Sequence, residues 1–141
     1  MNEGLISGKG GSGSGTYVAE AWYYKTIWVS SVVHGSLVVD SVAVTMRDSN
    51  GQVVFAIPYD QCKGVKYRSG RLKIQSKTGN YIVALFDPKS IEGWQLAEKG
   101  VYGIIKTERS GDKDGKAIEG LIRSNMLRLS GCRIGSGQGA L

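Results

Sequence analysis

Six basic residues stand between Gln61 and Lys77 with no acid among them: Lys63, Lys66, Arg68, Arg71, Lys73 and Lys77. The chain carries a formal net charge of +6, so the whole excess lies in this one segment and the remaining acids and bases cancel. The chemistry open to such a cluster is attraction of anions. A guanidinium fork matches the geometry of phosphate and carboxylate oxygens. Beside an anionic membrane each Lys or Arg adds about 1 kcal/mol. The counter-charges that fit are a lipid headgroup surface, an acidic protein surface and, third, nucleic-acid phosphates, for which the sequence offers no recognition helix and no RNA-binding motif. The same residues also fit a plainer role, a charged strand face that keeps a sheet soluble.

No catalytic set accompanies them. His34 is the only histidine, and a nucleophile pair with Cys62 would require the fold to join two positions that spacing does not. Asp112 and Asp114 in SGDKDGK resemble part of a calcium loop, but the 12-residue ligand pattern and its terminal Glu are missing. GLISGKGG near the N-terminus is one residue short of a phosphate-binding loop, and Gly10 stands where a Ser or Thr belongs. The two cysteines, Cys62 and Cys132, form no CxxC pair and are expected as free thiols, and neither a metal nor a cofactor is expected. No run approaches the roughly 18 apolar residues of a spanning helix. With no signal-peptide pattern, the expected compartment is the cytoplasm, or a virion if the chain is an assembly protein.

The element that must present the charges is a hairpin. In GVKYRSGRLKIQSK (64–77), Val65, Tyr67, Leu72 and Ile74 share one parity, and Lys66, Arg68, Arg71, Lys73 and Lys77 the other. A two-residue turn at Ser69-Gly70 then sets Arg68 opposite Arg71 and Lys66 opposite Lys73. Like charges directly opposed cost a strand pair a few tenths of a kcal/mol to about 1 kcal/mol. On this register Arg71→Glu is expected to stabilise the pair slightly.

The 141 residues fit one domain, and 21 glycines, about twice the usual share, favour turns and loose ends. Residues 1–16 read as a flexible tether, 17–130 as a single β-rich domain and 131–141 as a flexible tail. YVAEAWYYKTIWVSSVV (17–33) has strand character, with His34-Gly35 as a turn. LVVDSVAVTM (37–46) and QVVFAI (52–57) flank an Asp48–Gly51 turn, and a turn near Thr78-Gly79-Asn80 leads into YIVALF (81–86). In that last strand Ile82, Ala84 and Phe86 lie opposite the parity of Tyr81, Val83 and Leu85. They are either covered or a surface for self-association. SIEGWQLAEK fits a short helix, VYGIIK (101–106) a strand, and ERSGDKDGK (108–116) a mobile loop. AIEGLIRSNMLRL (117–129) places Ile118, Leu121, Ile122, Met126 and Leu129 on one helical face, with a strand pair as the rival reading.

Four short segments carry a resemblance: Gly35-Ser36-Leu37, Ile57-Pro58-Tyr59-Asp60, Leu72-Lys73-Ile74 and Gly79-Asn80-Tyr81. Together they make residues 34–95 resemble the bacterial pleckstrin-homology-like and GRAM-like domains. The resemblance implies a mainly β fold, a bent antiparallel barrel or sandwich of about seven strands closed by a C-terminal helix. The seventh strand would be VYGIIK. It further implies a binding module for phosphoinositides or peptides. The function expected is therefore a non-catalytic module whose basic hairpin engages an anionic lipid or acidic protein surface. A structural protein that self-associates through Ile82, Ala84 and Phe86 is the alternative, and a nucleic-acid-binding barrel the third.

Overall fold

The aromatic and β-branched residues of YVAEAWYY suit strand β1, Tyr17–Tyr24, whose period of two buries Tyr17, Ala19 and Ala21 on one side of it. The computed structural model describes residues 15–25 and 32–137. The expected tether, up to residue 14, and residues 26–31 lie outside the described residues. Six further strands follow: β2 Val32–Val39, β3 Ala43–Asp48, β4 Val53–Pro58, β5 Cys62–Arg68, β6 Arg71–Ser76 and β7 Gly79–Ala84. They form one antiparallel sheet in the order β4-β3-β2-β1-β7-β6-β5. The sheet bends around a single core. Side chains of both outermost strands, Phe55 and Ile57 of β4 and Val65 of β5, share it with Leu37, Met46, Leu72, Ile74 and Val83. Among the described residues two helices follow the sheet, α1 Gly93–Glu108 and α2 Asp112–Gly137. The expected architecture of seven strands and a C-terminal helix is thus the observed one.

The strands are not all where the sequence placed them. The segment 37–46 is two strands, because Asp40 builds a tight turn inside it. Its Oδ1 accepts from the backbone N–H of Val42 at 2.8 Å and of Ala43 at 2.9 Å. Seven strands are therefore complete before residue 86, and VYGIIK is helical, in the second half of α1. The sheet edge it would have joined is already occupied. The N–H of Tyr67 on β5 donates to Glu119 Oε2 at 3.1 Å, and Arg123 Nη2 donates to the carbonyl of Val65 at 2.8 Å. These two side chains, one turn apart on α2, satisfy one N–H and one C=O on the outer edge of β5. His34-Gly35 is not a turn but lies within β2, where Gly35 pairs with Asp48. A Cβ at Gly35 would sit 1.8 Å from the Arg47 carbonyl oxygen, so only glycine permits that approach.

Residues 108–116 are likewise not a loop. They form the end of α1, a 3-10 turn at Arg109–Gly111 and the first turn of α2. Their glycines serve contact rather than freedom: a Cβ at Gly115 would lie 2.2 Å from the Tyr67 ring. Asp112 and Asp114 accept from tyrosine hydroxyls of the sheet, Tyr67 at 2.8 Å and Tyr17 at 2.6 Å. The apolar face of α2 is the one its periodicity indicated. Ile118 and Ile122 are buried, and Leu121, Met126 and Leu129 pack against the same core. Asn125 and Arg128 reach the turn after β2, donating to the carbonyls of Asp40 at 3.2 Å and Ser41 at 2.9 Å.

Candidate anion-binding face

β5 and β6 pair as the alternation requires, with Tyr67 opposite Leu72, Lys66 opposite Lys73 and Arg68 opposite Arg71. Ser69 and Gly70 both take positive φ, 52° and 79°, the conformation of a two-residue hairpin turn. Gly70 is further confined, since a Cβ there would lie 2.7 Å from the Phe86 ring. The Gly70 carbonyl accepts from Leu85 N at 2.9 Å, which ties the hairpin tip to the end of β7.

Five of the six basic residues, Lys63, Lys66, Arg68, Lys73 and Lys77, are exposed, and none makes an ion pair with another described residue. Arg71 differs. It is half-buried, with its guanidinium 4.9 Å from the centre of the Phe86 ring, and it donates to Glu108 Oε2 at 3.1 Å and to the Ser69 carbonyl at 2.7 Å. Burial works against its charge, but the Tyr24 and Glu108 oxygens outweigh that and raise its pKa. The charge opposite Arg68 is thus balanced from α1. Lys66 and Lys73 remain opposed, and neither has an ion-pair partner among the described residues.

The apolar stripe expected at Ile82, Ala84 and Phe86 is not one surface. Ile82, across from Lys73, is 39% exposed, whereas Ala84 and Phe86 are buried. Ala84 lies between Trp22 and Arg71 in the sheet, and Phe86 lies beneath the Arg71 guanidinium and the hairpin tip. Parity within the strand was right. Coverage by Arg71 and the turn was not visible in it.

His34 and Cys62 are not brought together as a reactive pair. His34 Nε2 lies 2.7 Å from Glu20 Oε2, and its ring stacks on Trp22 at 4.8 Å. Burial, and secondarily Asp60, push the Cys62 thiol up to about 11, which disfavours the nucleophilic thiolate at neutral pH. Cys62 is a free thiol, and the Cys132 side chain lies outside the described residues. Among the described residues no group of His, Cys, Asp and Glu is placed to hold a metal ion. No described helix is long and apolar enough to cross a membrane.

Sequence reasoning missed a groove of about 350 Å³ between the hairpin tip and the junction of the helices. Arg68, Arg109 and Lys116 line it together with Ile105, Glu108 and Asp112. Both acids are already engaged, Glu108 by Arg71 and Asp112 by the Tyr67 hydroxyl. Ile105 at the end of α1, Arg109 in the 3-10 turn and Lys116 at the start of α2 meet only through the helix junction, which is hidden when 101–106 is read as a strand and 108–116 as a loop.

No family model matches this chain, and no curated protein does. Among solved structures it is similar to the N-terminal PH domain of human ARAP2, at 9% identity and a TM-score of 0.42, over 73% of this chain and 87% of that one. It is also similar to the PH domain of human oxysterol binding protein-related protein 11, at 12% identity and a TM-score of 0.41, over 72% and 87%. No residue of the basic face is carried over from either.

Proposed function

We propose that this chain is a non-catalytic binding module, pleckstrin-homology-like and of the bacterial or GRAM-like kind, that engages an anionic partner at a cytoplasmic surface through its basic hairpin. The observation that supports this is the opposed, exposed pair Lys66 and Lys73, flanked by Lys63, Arg68 and Lys77 without ion pairs to described residues. Solubility alone needs charge on this face but does not need two ammonium groups set across one rung. An anion lying over that rung turns the repulsion into a shared attraction. The partner is an anionic lipid surface, with an acidic protein surface as the other chemistry of the same sign.

The test is partitioning onto vesicles of phosphatidylcholine and phosphatidylserine in equal parts, with phosphatidylcholine alone as the control. Binding should require the anionic lipid and weaken steeply as salt rises past the range where the screening length falls to about 10 Å. Lys66→Glu with Lys73→Glu should abolish it without lowering the melting temperature. Wild-type protein that ignores anionic vesicles even at low salt would leave the hairpin as a solubilising face. Retention by single-stranded oligonucleotides instead would transfer the function to nucleic acid.

A further inference from the structure

The second half of α1 exposes more apolar surface than a free helix face warrants. Val101 is 75% exposed, Tyr102 83% and Ile105 44%, and Trp94 on the same element is 72% exposed. Gly100, at φ 70°, separates the two halves, so residues 101–108 form a short helix of their own direction. Val101, Tyr102 and Ile105 fall at i, i+1 and i+4 and make one stripe. Lys106 and Arg109 border it, and Tyr102, Ile105, Lys106 and Arg109 line a common hollow of about 300 Å³. Ile105 also lines the groove shared with Arg68, so the stripe is continuous with the basic hairpin.

We infer that this stripe inserts into the headgroup and upper acyl region of an anionic bilayer. The inference rests on the anion-binding reading above and adds an apolar contact to it. Charge complementarity selects the bilayer. Glu108 is paired with Arg71, and Asp112 accepts from the Tyr67 hydroxyl but keeps its charge, so around the stripe the four cations Arg68, Lys106, Arg109 and Lys116 outnumber Asp112 and the exposed Glu98 on the same element. An acidic protein would meet these cations but would have to cover Val101, Tyr102 and Ile105 as well. A bilayer meets both at once, with phosphates at the depth of the ammonium and guanidinium groups and acyl chains below. Tyrosine suits that boundary, because its ring is apolar and its hydroxyl stays wet, while the stems of Lys and Arg lie along the apolar surface. Binding of an interfacial helix scales with the apolar area it buries plus the attraction of its cations to anionic lipid, and this surface supplies both.

The experiment compares three full-length proteins on the equal-parts phosphatidylcholine–phosphatidylserine vesicles: wild type, Tyr102→Ser with Ile105→Ser, and Lys66→Ala with Lys73→Ala. Wild type should retain a salt-resistant bound fraction. The helix variant should partition about tenfold more weakly and lose that fraction, since two sizeable apolar side chains no longer leave water. Its melting temperature and solution mass should match wild type, because both residues are exposed. A second measurement needs no loss of side chain: in Tyr102→Trp, bilayers brominated on the acyl chains should quench emission beyond the wild-type level. A helix variant that binds like wild type at every salt, or no added quenching, overturns the inference. If only the hairpin variant is weakened, the anion-binding reading survives alone, and if wild type does not bind, both fall. A wild-type dimer that the helix variant converts to monomer would assign the stripe to self-association and overturn the inference too.

Discussion

Arg71 shows how one side chain changes the meaning of its neighbours. In the sequence it is one of six equivalent cations, and the register makes it the repelling partner of Arg68. In the fold its charge belongs to Glu108, its plane covers Phe86, and its Nη1 caps the Ser69 carbonyl. That reverses the effect expected from strand pairing. Arg71→Glu would oppose Arg68 favourably, but it would also put a carboxylate against Glu108 and strip the cover from a buried ring. The second effect should prevail. Removing one partner of a half-buried, hydrogen-bonded pair costs about 1–3 kcal/mol, while a cross-strand charge pair returns at most about 1 kcal/mol. Urea melts should show Arg71→Glu destabilised and Arg68→Glu within about 0.5 kcal/mol of wild type. A stabilised Arg71→Glu would mean that the Glu108 contact contributes little. At this scale the basic cluster was legible by type and parity, and the odd member was not, because Glu108 lies 37 positions away.

Among the elements, α2 has the largest part in making the sheet a closed body. Its apolar stripe fills the core with Ile118 and Ile122, and its polar stripe, Glu119 and Arg123, satisfies the backbone of β5. The two side chains are also paired with each other at 3.0 Å, one turn apart, which fixes both. Glu119→Ala should therefore do two things. It should cost about 1–3 kcal/mol, the penalty for a partly buried N–H left without its acceptor. It should also leave an open strand edge, the usual template for edge-to-edge aggregation. Thermal melts followed by light scattering would read both. Glu119→Gln, which keeps an acceptor oxygen, should restore most of the stability. If Glu119→Ala melts like wild type without scattering, water replaces the carboxylate at that edge. The helix face itself could be read from 3.6-residue spacing in AIEGLIRSNMLRL, and the hairpin from period-two alternation in GVKYRSGRLKIQSK. The role of VYGIIK could not. Its β-branched and aromatic content suits a strand, and only the complete topology, with seven strands already paired before it and α2 against β5, shows that no strand is wanted there.

Across the whole molecule, three tyrosine hydroxyls tie elements distant in sequence, and all three are shifted the same way. Tyr17 on β1 donates to Asp114, Tyr67 on β5 to Asp112, and Tyr59 after β4 to the Asp40 carbonyl at 2.6 Å. Burial, followed by the Asp114 hydrogen bond, pushes Tyr17 up to about 12, and burial does the same for Tyr59. Burial and Asp112 raise Tyr67 as well. An unfolded tyrosine ionises near pH 10. Each folded group thus holds its proton where the unfolded one has lost it. Their contribution is complete below about pH 10 and is lost as pH climbs towards about 12. Two of the three contacts hold the start of α2 against the sheet, so its docking should be the first casualty of alkali. The melting temperature should stay level from neutrality to about pH 9 and then fall steeply. Tyr17→Phe with Tyr67→Phe cannot ionise at those sites and gives up the two hydrogen bonds, so it should melt lower at neutral pH and follow a flatter alkaline limb. A double variant whose alkaline limb is as steep as wild type would place the alkaline weakness elsewhere, with the half-buried Cys62 thiol, raised to about 11, as the next group to replace.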